Sequence, residues 1–416
     1  MSRCSMLVAA VVSLFLATSA RAENWPEFRG PTGQGIAQGR FPTEWSDSKN
    51  VAWKQPIPGL GWSSPVIWEG RIYLTSSVPV GANEKGDQSL KALCLDARTG
   101  KPVWDTEVFR QDAKSPRIHT KNSHASPTPL IDGKRLYVHF GHMGTACLDL
   151  DGKVIWRSNT LKYQPVHGNG GTLILVDDAL VFSCDGGDKQ FVVALDRGTG
   201  KVRWQTPRKA ESTKKFAFST PLLITVKDQK QVISPGPGAV CAYDPSTGKE
   251  IWRVKYGEGY SVIPRPVFGH GLVFISSGFD TPSLLAIRPD GQGDVTKTHV
   301  AWTVSKAVPH TPSMLLTGDE LYMVSDQGIA SCLDANTGKV HWSERIGGAH
   351  SASPLLADGK IYFTSEQGVT AVVKADTKFE LIGKNSLGER TLASFAAADG
   401  ALFIRTEKNL YRVQEQ

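Results

Sequence analysis

Residues 330–342 read A-S-C-L-D-A-N-T-G-K-V-H-W, and this phrase decides the fold. A short apolar run ends in Asp334, a tight turn passes through Asn336, Thr337 and Gly338, and a second run ends in Trp342. The turn chemistry is local. An aspartate side chain accepts hydrogen bonds from backbone N–H groups just ahead of it, and glycine takes the positive φ that a tight hairpin needs. The phrase recurs as C-L-D-A-R-T-G-K-P-V-W at 94–104, C-L-D-L-D-G-K-V-I-W at 147–156, A-L-D-R-G-T-G-K-V-R-W at 194–204 and A-Y-D-P-S-T-G-K-E-I-W at 242–252. A looser copy starts A-I-R-P-D-G-Q-G-D at Ala286 and ends at Trp302. Self-similarity at this period marks a repeat architecture.

The terminal tryptophans at 104, 156, 204, 252, 302 and 342 are spaced by 52, 48, 48, 50 and 40 residues. Each copy contains a strand opening near a Ser/Thr-Pro pair, a strand after a D-G or G-D turn, the Cys/Ala-Leu-Asp strand and the tryptophan strand. Four short antiparallel strands in about 40–50 residues make a propeller blade. A further copy runs over 351–384 without a tryptophan, and the tail supplies three strands and stops. Residues 51–54, V-A-W-K, are a spare fourth strand. Pairing that strand with the tail predicts an all-β, eight-bladed propeller over residues 51–416, its ring closed between the two ends of the chain so that no sheet edge is left open.

Residues 1–22 read as a secretory leader: Arg3, an apolar run over 6–17, and A-R-A at 20–22. That run is too short to span a bilayer by the ~20-residue rule. An exported chain, periplasmic or extracellular, is expected, with residues 23–50 packed as an arm on the propeller. No lipid anchor is expected, because Glu23 follows the cleavage site. The net charge of +7 is spread along the chain, which speaks against nucleic acid and against a polybasic membrane contact. Cys94, Cys147, Cys241 and Cys332 sit at closely similar places in their copies and are expected to be buried and unpaired. Trp53, Trp104, Trp156, Trp204, Trp252, Trp302 and Trp342 are expected to dock one blade on the next.

These D-x-x-T-G-K-x-x-W phrases resemble the tryptophan-docking motifs of the pyrroloquinoline-quinone (PQQ)-like eight-bladed propeller superfamily. That resemblance implies one of two functions. Quinoprotein alcohol dehydrogenases bind PQQ and calcium, with adjacent cysteines over the cofactor; this chain has no Cys-Cys pair. The outer-membrane-protein assembly lipoprotein is a non-enzymatic scaffold. The chain shows no P-loop, H-E-x-x-H or G-x-S-x-G. Residues 149–152 and 185–188 lack the oxygens of a calcium loop and read as hairpin turns.

One constellation remains. The residues just before the first strand of each blade surround one mouth of the channel, and those places hold Trp62, His124, His167, Phe218, Tyr260 with Arg265, His310 and His350; His119 lies in the same loop as His124. Such a set could ligate a transition metal or hold an anionic ligand, a carboxylate or an aromatic quinone, or it could simply cap the blade tops; a single metal bound by all four blade-top histidines is not expected. No catalytic residue and no metal site is assigned. The expected function is a monomeric binding or scaffold protein for a protein or small-molecule ligand; the alternative is a divergent oxidoreductase holding PQQ at the mouth.

Overall fold

In the repeated turns the aspartate does what its chemistry predicts. Asp334 Oδ1 accepts the Thr337 N–H at 2.7 Å and its hydroxyl at 2.8 Å, and Asp96 holds Thr99 in the same way, both bonds at 2.7 Å. The turn glycine then lies on the tryptophan of the preceding blade. At Gly248 (φ 73°) a Cβ would sit 2.5 Å from Trp204, so no larger residue fits. Six of the seven docking indoles also donate their N–H to a carbonyl of the next blade: Trp53 to Ala97 (3.2 Å), Trp104 to Leu150 (3.0 Å), Trp156 to Arg197 (3.0 Å), Trp204 to Pro245 (2.8 Å), Trp302 to Ala335 (3.1 Å) and Trp342 to Asp376 (2.9 Å).

The computed structural model describes residues 23–83, 86–116 and 118–415; the leader read over residues 1–22 lies outside them. Eight sheets follow one another around a ring, with strands in sequence order within 66–111, 130–158, 174–207, 222–255, 267–304, 315–345 and 355–386. We number these blades 1 to 7. Blade 8 joins the strands of 396–414 to Val51–Pro56, with Lys54 opposite Tyr411. Among the described residues the one helical element is the 3-10 turn Gly141–Met143.

Cysteine or alanine stands opposite tryptophan for a packing reason. A bulge between the third and fourth strands sets Cys94 across from Trp104, Cys147 from Trp156, Ala242 from Trp252 and Cys332 from Trp342. A small residue there leaves room for the indole. All five cysteines of the described residues are free and buried.

Trp252 departs from the pattern. The following copy has the degenerate turn, and its extra residues return as a short fifth strand, Gly293–Asp294, parallel to the Trp252 strand. Trp252 is fully buried, and its N–H bonds the Gln231 side chain at 2.9 Å instead of a turn carbonyl.

Ring closure has its own polar hub. The Glu389 carboxylate accepts from Thr406 (2.7 Å), Asn409 (2.7 and 2.9 Å) and Tyr411 (2.7 Å) on the C-terminal side, and pairs with Lys54 of the N-terminal strand at 2.9 Å. Burial raises its pKa, but these bonds outweigh burial and hold it at about 2. Hydrogen bonds to a charged group contribute roughly 1.5–3 kcal/mol each. Glu389→Gln is therefore expected to cost about 2 kcal/mol in urea unfolding at pH 7. An unchanged midpoint would show that the hub contributes nothing to closure.

Residues 24–37 cross one face of the ring. Trp25 exchanges backbone bonds with Ile67 of blade 1 (2.8 and 2.9 Å), and the Pro26 carbonyl accepts Ile131 N–H of blade 2 at 2.9 Å. On the far side Gln34 Oε1 accepts Phe268 N–H of blade 5 (3.0 Å), Arg29 donates to the Met314 carbonyl entering blade 6 (2.5 Å), and Ile36–Ala37 pairs in parallel with Leu355–Ala357 of blade 7. Trp25 is 1% exposed. The arm is thus built into the core and bars the channel.

Candidate functional site

The first strand of every blade is entered through one structural position, and seven of the eight carry a hydroxyl: Ser64, Thr128, Thr172, Thr220, Ser313, Ser353 and Ser394, with Arg265 in blade 5. The hydroxyls link the blades. Ser64 N–H donates to Thr128, Thr128 to Thr172 and Thr172 to Thr220, each at 3.0 Å. Beyond blade 5 the chain resumes, from Arg265 to Ser313 (2.9 Å), Ser313 to Ser353 (3.0 Å) and Ser353 to Ser394 (2.9 Å). The Ser-Pro and Thr-Pro pairs at 126–127 and 311–312 lie two residues before the true ring positions, Thr128 and Ser313.

These hydroxyls floor a cavity of about 480 Å³ on the channel axis, and Phe28 of the crossing arm closes its lower end. The wall above is aromatic. Ring centroids run from His119 to His167 (5.5 Å), Phe216 (5.3 Å), Tyr260 (5.4 Å), Phe279 (6.1 Å) and His310 (4.9 Å), with Phe218 5.8 Å from Phe216. Most of these pairs meet edge to face, an arrangement favoured by the ring quadrupoles. Phe279 is 46% exposed at the rim. His167 (φ 63°) and Ser261 (φ 50°) line the cavity in left-handed backbone conformations that non-glycine residues seldom adopt, and such strain gathers at functional sites.

From the His119 end of the arc, a loop reaches across to blades 7 and 8. Lys121 reaches Glu366 of blade 7 at 2.7 Å, Arg390 donates to the Thr120 carbonyl at 3.0 Å, and His119 N–H and the Asn122 amide both donate to the His167 carbonyl (3.1 and 2.9 Å). Asp326 stands at the rim and accepts His310 N–H (2.6 Å) and the Thr311 hydroxyl (2.7 Å).

Of the residues singled out from the sequence, His119, His167 and Tyr260 share the cavity, with Trp62 and Phe218. Burial lowers the pKa of His167, so it is neutral at pH 7. Tyr260 accepts from Lys214 (2.7 Å) and donates to Asp280 (2.9 Å). His310 extends the arc at the rim. Three residues are engaged elsewhere. His124 faces Gln111, whose amide lies 2.8 Å from Nδ1. His350 is 1% exposed between blades, its pKa held by burial at about 4. Arg265 turns under the floor, donating to the Phe28 carbonyl at 2.7 Å and the Pro221 carbonyl at 3.1 Å, with Glu27 at 3.5 Å. Gly33 of the arm lies against this guanidinium, where a Cβ would fall 2.5 Å from Nη1. The floor hydroxyls and Phe216 were not picked out from the sequence; only the Ser/Thr-Pro rhythm hinted at the first of these.

Residues 185–188 form a turn, as read, but Asp185 also makes a buried ion pair with Arg208 at 2.8 Å between blades 3 and 4. Among the described residues, no group of three or more His, Cys, Asp or Glu side chains is arranged to hold a metal ion.

The family described as "Outer membrane protein assembly factor BamB" matches residues 45–219, 188–291 and 293–379. Among solved structures, BamB from Moraxella catarrhalis superposes with a TM-score of 0.62 at 12% identity, covering 88% of this chain and 97% of that one. The quinohemoprotein alcohol dehydrogenase ADHIIG from Pseudomonas putida HK5 gives 0.66 at 12% identity, covering 94% and 80%. At such identities the likeness is one of fold. A polyvinylalcohol dehydrogenase from Pseudomonas sp. is 25% identical over 343 residues, which cover 70% of this chain. The chain spans 48% of the length of that curated relative. Blade count, closure and docking motif agree with the matched repeats, and the chain belongs to the PQQ-like propeller family described as outer membrane protein assembly factor BamB.

Proposed function

We propose that the chain is a binding propeller that takes a ligand into the arm-floored funnel. The observation that carries this reading is a blind cavity with an aromatic wall and a floor of hydroxyls. Concave, largely apolar sites with a few converging polar groups are where small ligands bind. The leader read over residues 1–22 and the family's outer-membrane description support an exported binding protein. The family also supports a protein partner engaged through the outer loops.

A second reading, an oxidoreductase using PQQ, draws on the likeness to the polyvinylalcohol dehydrogenase. The residues do not fit that cofactor. PQQ carries several carboxylates, and the one lysine on the wall, Lys121, is already held by Glu366. Arg265 is spent on Glu27 and two backbone carbonyls.

Calorimetric titration with PQQ, with and without calcium, is expected to give no stoichiometric complex. A thermal-shift screen of flat small molecules, charged and uncharged, is expected to find ligands whose stabilisation shrinks in Phe216→Ala. A 1:1 PQQ complex of micromolar affinity, about −8 kcal/mol, or turnover of an alcohol would overturn this reading.

A further inference from the structure

We infer that the funnel selects a flat, apolar molecule bearing a single carboxylate, bound acid end down on the hydroxyl floor with its body against the aromatic arc. This rests on the binding reading and narrows it to a ligand class.

The first argument is hydrogen-bond direction. Thr128, Thr172, Thr220 and Ser394 each use a lone pair to accept a backbone N–H of the neighbouring blade. Their own protons have no acceptor among the described residues, so the floor is a surface of donors. It asks for acceptors, and a carboxylate is the densest small acceptor, with two oxygens and about four lone-pair sites.

The second argument is charge. Two guanidiniums meet the floor from the arm side: Arg265 turns under it with the Glu27 carboxylate at 3.5 Å, and Arg29 donates to the Met314 carbonyl beside the floor residue Ser313. Arg29 is 2% exposed, donates only to the Gln34 and Met314 carbonyls, and leaves Nε and Nη1 without partners. Burial, and then repulsion from Arg265, lower its pKa to about 9. A buried cation without a counter-charge is costly, and one anion on the floor would offset it. Arg405 is likewise buried without a carboxylate partner, but it is spent on Ser63 and the Thr75 carbonyl in blade 1, so one carboxylate, rather than two or three, matches the charge that Arg29 leaves with open donors. The rim points the other way: the Asp326 carboxylate would repel an acid held at the mouth, which favours the floor for the charged end.

The third argument is shape. The cavity of about 480 Å³ falls within the roughly 300–1,000 Å³ of small-molecule pockets. Edge-to-face rings along one wall, with a neutral His167 among them, suit a planar hydrocarbon body more than a second charge.

The test is calorimetry on the full chain with 2-naphthoate and its uncharged near-isostere 2-naphthamide. The acid is expected to bind at least ten times more tightly than the amide. Phe216→Ala should weaken both, and Arg29→Met, if it folds, should weaken only the acid. Equal affinity of the two compounds in the wild type would overturn the carboxylate preference while leaving the binding reading intact, and this comparison needs no variant. Affinity for the acid that Phe216→Ala leaves unchanged would place it outside the funnel and overturn the inference. Binding of neither, together with a flat-ligand screen that finds no stabilisation sensitive to Phe216→Ala, would remove both readings.

Discussion

Trp252→Ala is expected to destabilise the protein by about 3–5 kcal/mol, the range for emptying a buried tryptophan site. The other docking tryptophans that close on a regular turn should cost less, because their indoles keep an exposed edge. Trp252 has none: the fifth strand, Gly293–Asp294, runs beside it, and Val254 and Val295 belong to the same apolar cluster. The alanine variant would leave a cavity there and take the indole donor from Gln231 Oε1, while the Gln231 amide keeps the Pro289 carbonyl. Chemical denaturation beside Trp302→Ala checks the claim, since Trp302 is only half-buried and ends on the Ala335 carbonyl. A loss at Trp252 no greater than at Trp302 would mean that the insertion adds no burial of consequence.

Acid should unfold this protein well above the range where carboxylates titrate. His139 and His350 are 2% and 1% exposed, and burial lowers their pKa values to about 3 and about 4. For a base whose folded pKa is depressed, the unfolded chain takes up the proton first. Stability is therefore complete above the unfolded value near 6.5 and falls as pH drops towards the folded values. At pH 5 each of these accounts for about 2 kcal/mol by linkage, and His142, also lowered by burial to about 4, adds a similar amount, so at least roughly 4 kcal/mol is expected to go between pH 7 and pH 5. Urea midpoints at the two pH values measure it. His139→Phe, which keeps a ring against Phe182 (4.5 Å in the native pair), should flatten the slope by about a third. A midpoint that does not move between pH 7 and pH 5 would show that these imidazoles are not held neutral. Glu389, depressed to about 2, adds acid sensitivity only below its unfolded value near 4.5.

What the sequence revealed, and what it hid, follows the range of the interactions. The Asp334 and Asp96 turns bond within three residues of themselves, so their chemistry can be read from the phrase that contains it. The blade count and the closure of 51–56 on 409–414 follow from counting strands. The floor was not legible in the same way, because each of its bonds joins residues 40 to 64 positions apart. The insertion over Trp252 was visible only as a copy that looked looser than the rest. The histidines recur at one address along the chain, yet the address does not set where a ring points. His119 and His167 turn into the funnel, His350 turns between blades, and Arg265, a hydroxyl position by alignment with the other blades, turns down to the arm.

The arm also bears on how the chain reaches its native state. Residues 24–37 are synthesised well before their partners in blades 5, 6 and 7, which lie more than 200 residues downstream. The strand that completes blade 8 likewise waits for residues 409–414. Most strand contacts lie within one blade, but these few links join distant parts of the chain, and loop-closure entropy is lost before they form. Two separate long-range links must be made at the end. A nascent chain therefore carries the unpaired strand Val51–Pro56 until residues 409–414 appear, which makes the interval between synthesis and closure the period of greatest exposure to aggregation and proteolysis.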